Sequence, residues 1–184
     1  MQTKKELRQE MKRMLETQPG EARSQKSRRI EEKLFGLDAF KKAKTVCFYV
    51  SLPVEVDTAS MIDRSIGMGK RVLAPLTDLE NKEIDLYIIK NRQSDLRPGV
   101  LGIREPDPNK AKKGDPSEVD CLIVPGLCFD KQNNRLGRGA GLYDRFLKKF
   151  DASIPKIGLA FSFQVLPQIP VEPHDVRLDI VLTE

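Results

Sequence analysis

The stretch from Arg135 to Phe150 carries residue types that handle anions. Arg135-Leu136-Gly137-Arg138-Gly139-Ala140-Gly141 places glycine at every second position and supplies two arginines. Alternate glycines let backbone N–H groups approach an anion without side-chain clash. Arginine adds planar, bidentate hydrogen bonds that match phosphate oxygens. Directly afterwards, Tyr143, Phe146, Leu147 and Phe150 fall at i, i+3, i+4 and i+7, the stripe of a helix with one buried face. Free N–H groups and the dipole at the start of such a helix favour negative charge, so the segment reads as a phosphate cradle. A glycine-rich turn with surface arginines is the plainer alternative.

Two familiar phosphate loops do not fit. The dinucleotide fingerprint needs G-x-G-x-x-G directly after a strand, and here the pattern is G-x-G-x-G, well separated from Pro125. A P-loop needs Gly-Lys followed by Ser or Thr, but Gly69-Lys70 is followed by Arg71. Asp144 sits in the first helical turn, where an acid is stabilising without any ligand. Beside a phosphate it would repel the anion unless a cation intervened, and magnesium joins carboxylates to phosphate oxygens. Lys4, Arg8 and Lys12 form a second cationic stripe at i, i+4 and i+8. A solvated helix face is the simpler account of it, although no acid lies four residues before Lys4 or Arg8 to pair with them. His174, the single histidine, lies in a proline-flanked connector and reads as a bystander. Cys47, Cys121 and Cys128 fit no zinc spacing and read as buried free thiols.

These residues need a frame. Thr3 to Gln18 reads as a helix with Leu7, Met11, Met14 and Leu15 inward, and Glu21 to Phe35 as a second one. Thr45–Ser51 is β-branched and aromatic, a buried strand. Asp57 or Thr58 caps a helix through Gly67 with Ile62 and Ile66 inward, and Arg71–Leu76 is the next strand. Strand, helix and strand within about thirty residues make a parallel crossover unit. Glu83–Lys90 follows as a strand with one wetter end. Residues 91–118 read as a long surface loop with a short strand at Gly102-Ile103, of the kind that shapes binding sites. Cys121–Val124, Lys156–Phe161 and Leu178–Leu182 complete the strands, with a polar turn at Asp130–Asn134. The expectation is a single domain over residues 1–184: an α/β fold of three layers, α/β/α, around a mostly parallel sheet, with the N-terminal helices packed on it. Ligands should then enter beyond the carboxyl ends of the strands, after Val50 and Val124.

Composition narrows the partners. With 39% hydrophobic and 32% charged residues over 184, the chain can bury a core without staples. No apolar run approaches the ~20 residues of a membrane span, and MQTKKELRQE offers no secretory signal. A cytoplasmic monomer with no membrane partner is expected. Residues 1–44 hold 13 Lys/Arg against 7 Asp/Glu, and the remaining 140 hold 19 against 20, so the net +5 originates at the N-terminus. Such a flank attracts nucleic acid, an acidic surface or a small polyanion such as a nucleotide. Aromatics at 6% and no Trp argue against single-stranded nucleic acid.

Phe129-Asp130-Lys131-Gln132-Asn133-Asn134 continuing through Arg135 to Leu147 resembles the signature of the 5-formyltetrahydrofolate cyclo-ligase family, also called methenyltetrahydrofolate synthetases. The resemblance extends along the chain. Lys4-Lys5-Glu6-Leu7-Arg8 is similar to the family's basic start, Tyr49–Leu52 with Glu55 and Thr58 to its strand and acidic turn, and Gly102–Pro106 to its G-I-x-E-P stretch. Val171 to Leu182 is similar in its paired aspartates, Asp175 and Asp179. Leu142 departs from the pattern, where the family usually has an aromatic. The resemblance implies an ATP- and magnesium-dependent enzyme that cyclises 5-formyltetrahydrofolate to 5,10-methenyltetrahydrofolate. It implies ATP at Lys4, Lys5, Arg8 and Arg135, Leu136, Gly137, Arg138, Gly139, Ala140, Gly141, Leu142 and Tyr143. Folate would lie at Val50, Glu55, Arg138 and Tyr143, magnesium at Asp144 and Asp175, with Arg138 and Tyr143 serving catalysis. Rival readings are a sugar-phosphate isomerase or acyl-CoA-type α/β enzyme, and a basic RNA-binding accessory protein.

Overall fold

A computed structural model of the chain describes residues 2–99 and 102–184. The first helix, α1 (Lys4–Glu16), starts at Thr3, whose hydroxyl accepts from the Glu6 N–H while the Glu6 carboxylate accepts from the Thr3 N–H. That reciprocal cap satisfies donors the helix cannot. Helix α2 (Gly20–Gly36) follows, and then a short α3 (Asp38–Lys42) that the sequence pattern did not signal.

A seven-stranded sheet carries the molecule. Strands β1 (Thr45–Cys47), β2 (Arg71–Asp78), β7 (Cys121–Val124), β10 (Lys156–Leu159) and β12 (Ile180–Leu182) pair in parallel, in the order β12-β10-β7-β1-β2. Strands β3 (Glu83–Ile89) and β6 (Lys112–Lys113) add an antiparallel edge. Helix α4 (Ala59–Gly67) connects β1 to its parallel neighbour β2, as the crossover reading requires. From β1 the chain moves to one side, to β2, and from β7 to the other, to β10. The crevice between β1 and β7 is therefore the switch point at which ligands enter such sheets.

Alternation along the strands divides the core. Val46, Phe48, Val72, Ala74, Cys121 and Ile123 face the layer of α1, α2 and α4. Cys47, Leu73, Leu122 and Val124 face Phe146 and Leu147 of α6 (Leu142–Leu147) on the other side. Period-2 alternation produces this two-sided burial, and the three-layer α/β/α expectation holds.

Several boundaries differ from the sequence pattern. β1 stops at Cys47; Phe48 still donates to Leu73 O at 2.9 Å, but the backbone of Tyr49 and Ser51 is taken over by the Thr58 side chain. Thr58 occupies the cap position of α4 without capping it, and Asp57 Oδ1 accepts the Ala59 N–H at 2.8 Å instead. Met61, Ile62 and Ser65 are the buried face of α4, with Ile66 half-buried. The 91–118 segment, of which residues 100–101 lie outside the described residues, is more ordered than a loop. It holds α5 (Arg92–Asp95), a hairpin of β4 (Leu96–Pro98) with β5 (Arg104–Pro106), and β6. The strand expected at Gly102-Ile103 begins two residues later, because Gly102 adopts φ +73° and breaks extension. The Asp130–Asn134 turn joins β8 (Cys128–Asp130) to β9 (Arg135–Leu136), which places Arg135 and Leu136 in a strand. A short β11 (Val165–Leu166) pairs with β8.

Candidate active site

Beyond the carboxyl ends of β1 and β7 lies a cleft of about 700 Å³. All the residues expected to hold ligands line it: Lys4, Lys5, Arg8, Val50, Glu55, the run from Arg135 to Tyr143, Asp144 and Asp175. Residues separated by up to 171 positions in sequence are in direct contact there, since Lys4 donates to Asp175 Oδ2 at 2.7 Å.

The glycine loop forms one wall. Gly139 at φ +113° and Gly141 at φ +62° hold backbone angles that other residues avoid. At Gly137 a Cβ would stand 2.9 Å from Arg135 Nη1, so the loop lies close over that guanidinium. Among the described residues, the backbone N–H groups of Arg138 to Asp144 have no acceptor within the protein. Unpaired donors on a Gly-rich loop beside a helix start suit an anion. Arg145 Nη2 donates back to Ala140 O at 3.2 Å and braces the outer side.

Arg135 stands differently from Arg138. Its buried side chain donates to Asp144 Oδ1 at 2.7 Å and lies 5.8 Å over the Tyr143 ring, while its Nε finds no partner. It supports the loop from beneath. Arg138 is half exposed and pairs with Glu55 Oε1 at 2.7 Å, across the cleft. Glu55 is fixed in turn by the Leu52 N–H, which donates to its Oε2 at 3.0 Å.

The N-terminal helix forms the opposite wall. Arg8 Nε donates to Gly137 O at 3.0 Å, and Lys4 reaches Glu172 Oε1 at 3.3 Å as well as Asp175. These tail acids are the partners that helix spacing alone did not provide. His174 contacts Glu172 at 3.1 Å and is exposed. Burial pushes the Asp175 carboxyl up, but hydrogen bonds from Lys4 and the Glu172 N–H outweigh it and hold the group below the usual carboxylate range. Burial pushes the Tyr143 phenol well up, with Cys47 and Glu55 adding to it. That phenol stays protonated and can donate, so it is no base. Cys121 and Cys128 are likewise pushed up to about 12 by burial, which leaves them inert thiols.

Carboxylates suited to a hard cation are present. Asp144 Oδ1 accepts from Arg135 and from the Val176 N–H, and Asp175 Oδ2 from Lys4 and the Glu172 N–H. Among the described residues the second oxygen of each accepts no hydrogen bond, and His174 Nε2 lies 3.8 Å from Asp175 Oδ1. Sequence reasoning missed Pro75, Thr77 and exposed Leu79 at the end of β2, whereas Ile103 to Glu105, also in the lining, lie in the 91–118 segment expected to shape a site. For Ile103 to Glu105 the length of that segment and the similarity at Gly102–Pro106 were hints; nothing marked Pro75, Thr77 or Leu79.

Sheet and cleft define the class: an α/β enzyme with a glycine-arginine loop at the switch point of its sheet. The chain belongs to the 5-formyltetrahydrofolate cyclo-ligase family, whose model matches residues 1–184. It is 37% identical over 142 residues to the 5-formyltetrahydrofolate cyclo-ligase of Mycolicibacterium smegmatis, covering 76% of this chain and 73% of that one. Identity to the mouse enzyme of the same name is 31%, over 98% of this chain and 93% of that one. The solved structure of Aquifex aeolicus 5,10-methenyltetrahydrofolate synthetase superimposes with a TM-score of 0.83 at 33% identity, over 97% of this chain and 88% of that one. Among the described residues no helix is long and apolar enough to cross a membrane.

Proposed function

We propose that the protein, with magnesium as cofactor, converts 5-formyltetrahydrofolate and ATP into 5,10-methenyltetrahydrofolate, ADP and phosphate. The observation that carries the reading is the contact of Arg138 with Glu55 at 2.7 Å, which joins the phosphate loop to the acidic turn in one cleft. A nucleotide on the loop and a folate at Glu55 would meet there.

The chemistry needs activation, because an amide-like formyl carbon is a poor electrophile and its oxygen a poor leaving group. The formyl oxygen attacks the γ-phosphorus of ATP, the bond to the bridging oxygen breaks, and ADP departs. The carbon is now part of an iminium phosphate. N10 of the same folate adds to it and loses its proton to solvent, and expulsion of phosphate leaves the methenyl ring. Phosphoryl transfer of this kind depends on positioning and charge neutralisation and requires no protein nucleophile. The inert thiols and exposed His174 accord with that.

Lys4, Lys5, Arg8 and the Arg135–Tyr143 run hold ATP, Arg135 from the base of the loop. Val50 and Glu55 hold the folate, with the Glu55 carboxylate accepting from pterin donors. Arg138 neutralises charge as it moves to the transferring phosphoryl group, and Tyr143 walls the reaction with a ring whose phenol keeps its proton. Asp144 and Asp175 would hold magnesium, which supplies neutralising charge to phosphate oxygens. Lys4 and Arg138 are already paired with carboxylates, so a polyanion must compete for them; a cation at Asp175 would remove that competition for Lys4, and folate at Glu55 would remove it for Arg138. The test mixes protein, 5-formyltetrahydrofolate, ATP and magnesium and follows methenyl absorbance. Product in the complete mixture and none when ATP is omitted supports the reading; folded protein without product rejects it.

A further inference from the structure

The acidic turn that bears Glu55 leaves β1 at Phe48 and rejoins regular structure at α4. One residue ties those ends together. Thr58 is fully buried, and both functions of its hydroxyl are used: it donates to Tyr49 O at 2.8 Å and accepts the Ser51 N–H at 3.1 Å. Its own N–H donates to Ser51 Oγ at 3.1 Å, so Ser51 and Thr58 bond each other reciprocally. Inside the loop thus closed, the Tyr49 hydroxyl donates to Val56 O at 3.2 Å. Glu55 and Leu52 close the tip, with the Glu55 N–H on Leu52 O and the Leu52 N–H on Glu55 Oε2, both at 3.0 Å.

The geometry points to Thr58 as the positioning residue for the folate side of the cleft. The inference rests on the proposed function, because it assigns the Glu55 turn to folate. Thr58 lies outside the cleft lining and touches no ligand position. It acts through Val50 and Glu55, which sit on the segment that its hydroxyl clasps. The glycine loop and α1 are held by other contacts, from Arg135, Arg145 and Arg8. Loss of the Thr58 hydroxyl should therefore disturb one ligand and spare the other. A valine of nearly the same shape would leave Tyr49 O and the Ser51 N–H unpaired in a buried place, and the turn would relax to find other partners.

The experiment titrates the full chain by calorimetry, separately with 5-formyltetrahydrofolate and with a non-hydrolysable ATP analogue plus magnesium. Thr58→Val should weaken 5-formyltetrahydrofolate binding about tenfold and the nucleotide by less than about twofold, from the loss of buried hydrogen bonds on one side only. Thr58→Ser, which keeps the hydroxyl, should restore folate binding to near the wild-type value. Unchanged folate binding in folded Thr58→Val, or equal weakening of both ligands, overturns the inference and leaves the proposed function standing. If the valine variant does not fold, Ser51→Ala decides by the same two titrations, because it removes the acceptor of the Thr58 N–H. A wild-type chain that binds the nucleotide but not 5-formyltetrahydrofolate rejects the functional reading and the inference with it.

Discussion

Arg138 and Glu55 neutralise one another across the cleft, and on the proposed function each would meet a different ligand. The pair contributes little to stability, because Arg138 is 44% exposed along its side chain and exposed pairs are worth about 0–1 kcal/mol. On the proposed function its worth would be in binding. Glu55→Gln would remove the charged acceptor proposed for the pterin and release Arg138. The folate KM should rise about tenfold or more, in line with a hydrogen bond to a charged group, while the ATP KM stays level or falls. Steady-state kinetics with each substrate varied in turn checks this; a rise confined to ATP contradicts it. Nothing in local sequence marked Glu55, which has the type and setting of an ordinary turn acid. Its partner is 83 residues away, and only the whole-chain resemblance brought it forward.

At the scale of elements, the glycine loop works by backbone shape. Gly139 holds φ +113°, and a Cβ there would also stand 3.5 Å from the Arg8 guanidinium. Gly139→Ala should raise the ATP KM about tenfold, from a backbone strain of about 1–3 kcal/mol, with the folate KM little changed. The turn after β3 gives a pH expectation. Burial works to raise the Asp95 carboxyl, but hydrogen bonds from the N–H groups of Asn91 and Lys90 and the Ser94 hydroxyl outweigh it. With the folded value depressed, its contribution is complete above the ordinary carboxylate range and is lost as pH falls through the depressed value. An NMR carboxyl titration should place its midpoint below the ~3.9 of a free aspartate; a midpoint above that refutes the account. Long periodic segments were legible: α1, α2 and the buried run Cys121–Val124 lie where spacing put them. The hairpins were not, because β8 and β9 hold only three and two residues, too few to display a period. Their pairing moved Arg135 from the loop into a strand beneath it.

Over the whole molecule, the basic N-terminus forms the second wall of the cleft and, on the proposed function, would be the second half of the nucleotide site. Leu7, Met11 and Leu15 bury α1 against the sheet layer, and that docking brings Lys4 and Arg8 to the tail and the glycine loop. The charge imbalance was plain in the sequence, but its direction was not, since it depends on which face of α1 the core takes. Lys4→Ala and Arg8→Ala should each raise the ATP KM several-fold more than the folate KM, as expected for lost charge-assisted contacts to phosphate; the reverse pattern contradicts the two-walled site. The central claim is that the cleft brings the γ-phosphoryl group of ATP to the formyl oxygen. The most direct test supplies 5-formyltetrahydrofolate with heavy oxygen in its formyl group, together with ATP and magnesium. Mass analysis of the released phosphate should find the heavy oxygen in it, in step with methenyl product. Unlabelled phosphate, with the heavy oxygen released into water instead, would contradict the account.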